Sequence, residues 1–222
     1  MKERFPVIAI DGPAGAGKST LAKLLAERLG FVYVNTGAMY RAVAYVMKHC
    51  KICDPVEAAA KIDIRFEKDK IFLAGVDVTE ELYTPEISML SSEISALSGV
   101  RKELVKKQRE FAKRFPVVME GRDIGTVVFP DAEVKLFLTA SAYERARRRK
   151  RQFNDPRSVE EIAAEIKKRD EQDSSRADSP LKIPEDAILI VTTDLDIEEV
   201  LERALFIIRK KLKHFFENVK AE

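Results

Sequence analysis

The stretch GPAGAGKST, residues 12–20, carries the residue types for one kind of chemistry. Gly12, Gly17, Lys18 and Ser19 stand at the spacing G-x-x-x-x-G-K-[ST], after an apolar run and before a helical pattern, which is the context in which this motif binds phosphate. Glycines let backbone N–H groups curve around an anion, and a helix N-terminus adds positive potential. A lysine in this place reaches the outer phosphates, and the Ser19 hydroxyl is suited to ligate Mg²⁺. The turn through Gly12, Pro13, Ala14, Gly15, Ala16, Gly17, Lys18, Ser19 and Thr20 is therefore expected to hold MgATP. A turn that merely closes a strand–helix unit is the weaker reading of the complete motif.

This turn serves switches, motors and kinases alike, so the recipient of the phosphate has to be read elsewhere. YERARRRKRQF places Arg145, Arg147, Arg148, Arg149 and Arg151 in one short helical stretch, and KKRDEQDSSRADSPL adds Arg169 and Arg176. Alone, such a run reads more often as a solvated face or a nucleic-acid patch. Beside a phosphate-binding turn, arginines on a closing flap would neutralise a phosphoryl group in transfer and shut out water. Arg145 and Arg149, four apart, are expected to face one phosphate-bearing cleft together.

The elements that must position these groups follow from periodicity. Apolar runs at VIAID, FVYVN, PVVME, VKLFLTA and AILIVTT each lead into a turn and a helical pattern, which predicts a parallel five-stranded α/β sheet. In KSTLAKLLAERLG, Leu21, Leu24, Leu25 and Leu29 share a helical face that ends on Gly30. Capping-box spacing recurs at Ser141 with Glu144 and at Ser158 with Glu161. One segment breaks the rhythm: IDIRFEKDKIFLAGVDVT alternates apolar and polar residues with a turn near Lys68 and Asp69, so residues 50–113 read as an insertion with antiparallel strands. The C-terminal EEVLERALFIIRKKLKHFFENV is expected to pack on the sheet as an amphipathic helix.

Composition sets the outer bounds. The 222 residues are 45% apolar, enough for a substantial core, and 39 Lys+Arg against 37 Asp+Glu leave a net charge of only +2, so any basic site is local. No apolar run approaches the roughly 20 residues of a bilayer span, and MKERFPVIAI lacks a leader's hydrophobic region and cleavage site. A soluble, cytoplasmic protein without membrane contact is expected. Cys50 and Cys53 beside His49 fall short of a closed zinc set and read as structural or incidental thiols.

IDGPAGAGKST, NTGAMYRAVAY, EGRDIGTVVFPDAEVKLFLTAS, ERARRR and IKKRDEQDSSRADSPL, in this order and spacing, resemble the bacterial-type cytidylate kinase (CMP kinase) family of P-loop nucleoside monophosphate kinases. The phosphate turn is common to many enzymes; GRDIGTVVFP and the RD…D..R pattern are far more specific. The resemblance runs from about residue 5 to the C-terminal helix. It implies a P-loop kinase core over 1–49 and 114–222 with an arginine-bearing lid near 145–157, and a monophosphate-binding insertion over 50–113. It places cytosine contacts on Ser92, Arg101 and Asp123, acceptor-phosphate contacts on Thr36, Arg41 and Arg122, and sugar contacts on Asp173 and Arg176. Arg169 would lie between acceptor and transferred phosphates, and Lys18, Arg122, Arg145, Arg149 and Arg169 would carry catalysis. Thr36 stands where serine is often found and Glu120 where aspartate does, each keeping its donor or acceptor.

The implied reaction is MgATP-dependent phosphorylation of CMP and dCMP by a monomer that uses no nucleic acid. It needs no dedicated base, because a phosphate monoester with a second pKa near 6 is already largely ionised at neutral pH. Other readings stay open on the residues alone. A hydroxyl-phosphorylating kinase of the shikimate type could use Asp123 as base, a nucleotide-dependent switch would share the phosphate turn, and the 145–151 run could bind nucleic acid. Asp123 could also simply cap a turn or brace Arg122.

Overall fold

A computed structural model describes residues 5–50, 52–67 and 70–219. In chain order the elements are β1 (Val7–Asp11), α1 (Lys18–Leu29), β2 (Val32–Asn35), α2 (Thr36–His49), α3 (Pro55–Lys61), β3 (Ile64–Glu67), β4 (Lys70–Leu73), β5 (Val76–Asp77), α4 (Pro85–Ile94) and α5 (Ser98–Arg114). There follow β6 (Val117–Gly121), a single π-helical turn (Ile124–Val128), β7 (Val134–Thr139), α6 (Ala142–Phe153), α7 (Val159–Ser175), β8 (Ile188–Val191), α8 (Ile197–Lys211) and α9 (Lys213–Val219).

Five parallel strands form the main sheet in the order β2-β6-β1-β7-β8. β1 is central and buried along its whole length, which is why it reads as the unbroken apolar run VIAI before Asp11. Its side chains alternate between two cores. Val7 and Ala9 join Val34, Val117 and Met119 under α2, α4 and α5; Ile8 and Ile10 join Val118, Leu136 and Leu138 under α1 and α8. Fully burying an aliphatic side chain of this size contributes about 1.5–3 kcal/mol. Because all five strands run the same way, their carboxyl ends, Asp11, Asn35, Gly121, Thr139 and Val191, lie along one edge of the sheet. That edge is where open α/β sheets bind ligands.

β3, β4 and β5 form the expected antiparallel sheet, with Ile64 opposite Leu73 and Phe72 opposite Asp77. The turn near Lys68 and Asp69 lies outside the described residues. Ala58, Ile64, Ile71, Leu82, Ile87 and Leu104, all from residues 50–113, belong to the same apolar cluster as Val7 and Ala9, so this segment buries its apolar side against the main sheet.

Three local expectations are corrected. The connection from β6 to β7 holds only the π turn where a helical pattern was expected. Ser158 and Glu161 form the full reciprocal cap, but Ser141 accepts only the Glu144 N–H, because the Glu144 carboxylate is drawn to Arg147 and Arg148 at 3.2 and 3.1 Å. The C-terminal segment is two helices rather than one, with α8 ending at Lys211 and Leu212 as its C-cap. α8 buries Val200, Leu201, Ala204, Leu205 and Ile208 on the sheet, while Phe215 and Phe216 of α9 pack on Phe31 at 5.8 and 6.3 Å. Among the described residues no helix is long and apolar enough to cross a membrane. Cys50 and Cys53 are exposed thiols.

Candidate active site

The phosphate turn runs from the end of β1 into α1. Gly12 has φ +145°, and a Cβ there would lie 2.0 Å from the Leu138 carbonyl oxygen of β7, so only glycine lets the chain leave the sheet at this point. Gly17, the α1 N-cap, is left-handed at φ 91° and aims the first N–H groups of the helix into the turn. Lys18 is buried and donates from Nζ to the Pro13 carbonyl at 2.8 Å, curling over the loop. Burial, with Arg122 and Arg169 adding to it, pushes its ammonium down to about 7 against the pull of Glu120 and Asp11. A cation this poorly compensated is what an entering polyphosphate would relieve.

Ser19 Oγ donates to Glu120 Oε1 at 2.5 Å, and the Tyr33 hydroxyl reaches the same oxygen at 3.1 Å. A serine hydroxyl and a carboxylate at the end of the neighbouring strand are hard oxygen donors of the kind that hold Mg²⁺ beside a nucleotide. The donor set fits that ion. Sequence reading noticed Glu120 only as the residue before GRD. The available signal was an acidic residue at the carboxyl end of an apolar strand run, PVVME.

Next to the turn opens a cavity of about 360 Å³, with Gly15 to Thr20 on one wall, Leu195, Ile197 and Val200 on another, and Arg148 and Arg149 at its side. The loop after β8 thus borders the same cavity as the phosphate turn. The arginines of α6 are sorted by their partners. Arg145 is buried against Gly15, where a Cβ would lie 3.0 Å from its own, and its guanidinium donates to the carbonyls of Ala140 at 2.9 Å and Ala14 at 3.2 Å and to Asp170 at 2.7 Å. Arg149 lines the cavity and pairs with Glu165 at 2.8 Å. Arg148 crosses to Thr192, donating to its hydroxyl at 2.9 Å and its carbonyl at 2.5 Å. Arg145 and Arg149 therefore sit differently: one braces the phosphate turn from beneath, the other stands in the open cleft.

This division has a measurable consequence. Arg149→Ala is expected to lower kcat about tenfold, roughly 1.4 kcal/mol, with the acceptor KM changed less than threefold. Arg145→Ala is expected to lower the melting temperature as well, because Asp170 and two carbonyls lose their buried donor. Steady-state kinetics and thermal melts of both variants distinguish the two; equal melts with equal kcat losses would put both arginines in the cleft.

On the far side of Lys18, three elements bring a second group of cations together. Arg41 comes from α2, Arg122 follows β6 and Arg169 comes from α7. Burial and mutual repulsion hold all of this group's resolved shifts down: Arg169 falls to about 10, with Arg122, Arg41 and Arg149 contributing, and Arg41 is lowered with Arg122 contributing. The Nε atoms of Arg41 and Arg169 are buried without a hydrogen-bond partner. Unpaired buried guanidinium donors are costly unless an anion completes them. Thr36 Oγ1 donates to the Glu120 carbonyl at 2.7 Å, holding the end of β2 to the end of β6.

Asp173 accepts from Arg122 Nε at 2.9 Å and also from Arg176, and these arginines hold its carboxyl below the usual range despite burial. Arg176 continues to Ser95 Oγ at 3.2 Å. Arg101 donates to the Ser95 carbonyl at 3.0 Å and pairs with Asp123 Oδ2 in a buried salt bridge. Ser92, half-buried on α4, presents its carbonyl to Ser95 Oγ at 2.7 Å. Of the residues placed by resemblance on phosphate, sugar and base, Arg122, Asp173, Arg176, Arg101, Asp123 and Ser92 thus form one connected network through Ser95, while Thr36 and Arg41 stand outside it. Sequence reading missed Ser95, and also Tyr40 and Tyr83, whose rings lie 5.6 and 5.0 Å from the guanidinium carbons of Arg101 and Arg41.

A family model described as cytidylate kinase matches residues 8–210. The chain belongs to the cytidylate kinase family. Like other members of the cytidylate kinase family, it is a phosphotransferase. It is 54% identical to a cytidylate kinase of Caldanaerobacter subterraneus subsp. tengcongensis, over 93% of this chain and 96% of that protein. It is 48% identical to a cytidylate kinase of Solibacter usitatus, over 95% of each. A shikimate kinase from Acinetobacter baumannii in complex with shikimate shares the fold at a TM-score of 0.51 and 16% identity, covering 93% of this chain and 94% of that one. The five-stranded parallel sheet of this cytidylate kinase family member is thus the fold it shares with that kinase.

Proposed function

We propose that the chain transfers the γ-phosphoryl group of MgATP to the phosphate of CMP, and of dCMP, forming the diphosphate. The observation that carries this reading is the buried cluster of Arg41, Arg122 and Arg169 beside Lys18, with two guanidinium Nε atoms unpaired, between the phosphate turn and the Asp123–Arg101 pair. Two polyanions meeting end to end need this much positive charge between them.

Position supports the following roles. The N–H groups of Gly12 to Thr20 and Lys18 take the ATP phosphates. Arg41 and Arg122 hold the acceptor phosphate, whose oxygen is ionised and needs no base. Arg169 and Arg149 lie where charge shifts as the phosphoryl group passes, and lining it up accounts for the rest of the barrier lowering. Ser19 and Glu120 would hold Mg²⁺, which supplies charge neutralisation at the β and γ phosphates. Asp123, Arg101 and Ser92 read cytosine, and Asp173 with Arg176 meets the sugar. Residues 50–113 form the acceptor side and 145–157 the lid. The enzyme works as a cytoplasmic monomer.

A coupled assay with MgATP and CMP, dCMP, UMP, AMP or shikimate as acceptor tests substrate and reaction class together. CMP is expected to exceed UMP in kcat/KM by at least about tenfold, since a carboxylate accepts from the cytosine amine and repels the uracil carbonyl, a difference of roughly 1–3 kcal/mol. Phosphorylation of shikimate in preference to CMP would replace this reading with a hydroxyl kinase.

A further inference from the structure

The connection after Asp123 is one π turn, with Val128 N donating to the Asp123 carbonyl at 3.2 Å and Phe129 N to the Ile124 carbonyl at 2.7 Å. Such turns are rare and a single turn has little stability of its own. This one is held at both ends by opposite charges from different parts of the chain. At its start, Asp11, only 1% exposed at the end of β1, accepts Ile124 N on Oδ1 at 2.8 Å and Gly125 N on Oδ2 at 2.7 Å. At its end, Arg109 of α5 donates from Nε to the Val128 carbonyl at 2.9 Å and from Nη2 to the Val127 carbonyl at 3.0 Å. A carboxylate on the free N–H groups and a guanidinium on the free carbonyls complement the dipole of the turn.

The fit around Asp11 is close. A Cβ on Gly125 would lie 3.2 Å from Asp11 Oδ2 and 3.1 Å from Lys135 Cδ, so no side chain intervenes between the turn and its anchor. Burial raises the Asp11 carboxyl to about 6, with the two backbone bonds pulling it back, so it is predominantly charged at neutral pH. Asp11 directly precedes Gly12 of the phosphate turn, and α5 also carries Arg101. One turn is therefore pinned to both the donor wall and the acceptor wall of the site.

We propose that Asp11 and Arg109 are positioning residues for acceptor recognition: they clamp the 124–128 turn from its two ends and thereby set where Arg122 and Asp123 meet the monophosphate. The inference rests on the acceptor roles given to Arg122 and Asp123 above. Arg109 is the cleaner probe, because it is exposed and lies on the acceptor-side helix away from the phosphate turn. Arg109→Met is expected to raise KM for CMP at least fivefold and to narrow the CMP-over-UMP ratio at least twofold, with KM for ATP within twofold of wild type. Asp11→Asn, which sets an amide NH₂ against one of the two N–H donors, is expected to lower kcat/KM for CMP about tenfold. Combining the two should cost less than the product of the single effects, since both act on one turn.

Amide hydrogen exchange over residues 124–128, measured without substrate, is expected to speed up in both variants. A folded Arg109→Met enzyme with wild-type CMP and UMP kinetics and unchanged exchange overturns the clamp. So does a proportional loss of ATP and CMP kinetics, which is general loosening. A wild-type enzyme that ignores CMP instead overturns the acceptor reading, and accelerated exchange in the variants would still report the clamp itself.

Discussion

Lys18→Ala lowers kcat by at least about 100-fold, roughly 2.7 kcal/mol or more, while the protein remains folded. The expectation rests on burial. Lys18 is the one side-chain cation within the turn of Gly12 to Thr20, and the fold holds it in a place that suits its charge so badly that its ammonium falls to about 7. Stability spent on such a group is recovered only when phosphate arrives, so its removal weakens binding in the transition state far more than it weakens the free protein. Lys18→Met, which keeps the apolar stem, should match wild type in melting temperature within a few degrees and match Lys18→Ala in activity. Retention of more than about a tenth of the turnover in either folded variant would remove Lys18 from the reaction.

The same lysine links nucleotide binding to protons. ATP phosphates raise its folded-state pKa from about 7 toward the ordinary 10.5, so near pH 8 binding takes up close to one proton. A group whose pKa rises on binding favours the complex below that raised value, so ATP affinity should fall as pH climbs above 7. Calorimetry in two buffers of different ionisation enthalpy reads the proton directly, and Lys18→Met should abolish it. Buffer-independent heats in the wild type would mean that Lys18 keeps its proton in the free enzyme.

On the proposed reading, Asp123→Asn is expected to lower kcat/KM for CMP at least about 100-fold and to collapse the preference over UMP. Two losses act together. The cytosine amine no longer meets a carboxylate, worth roughly 1–3 kcal/mol, and Arg101 loses the counter-charge of a buried pair, an imbalance of about 3–5 kcal/mol when one partner alone is removed. Part of the second loss appears as lower stability and part as a displaced Arg101. The asparagine amide rotates to donate as well as accept, so UMP suffers less than CMP. ATP binding, measured in the absence of acceptor, should stay within about twofold. An unchanged CMP-to-UMP ratio in a folded Asp123→Asn enzyme would leave Asp123 a bracing role alone, toward Arg101 rather than the expected Arg122, which pairs instead with Asp173.

How much of this was readable in advance divides by distance along the chain. The donor side was almost wholly legible because its parts are consecutive: strand, turn and helix N-terminus fall within VIAIDGPAGAGKST, and every donor is placed by local backbone geometry. The three inner strands, β6, β1 and β7, were legible for a related reason, since a central parallel strand is buried on both faces and shows as an apolar run in any context. The π turn was not, because GRDIGTVVFP has the composition of a strand and helix start, and its shape depends on Asp11 and Arg109, 113 and 19 residues from the groups they hold.

What the sequence by itself determined, then, is the phosphate-binding turn, the alternation of strands and helices, and a set of arginines and aspartates whose motif order points to one kinase family. What only the tertiary structure decided is which of those charges stay available. Arg145 and Arg149 have the same side chain at neighbouring helical positions, yet Asp170 and the Ala14 carbonyl consume the donors of one, while the other stands in the cleft. Glu120 becomes a partner of Ser19 only because β6 lies beside β1. A guanidinium or carboxylate takes its role from whichever groups surround it in a low-dielectric interior, and those neighbours are set by the packing of distant segments rather than by residues adjacent in the chain.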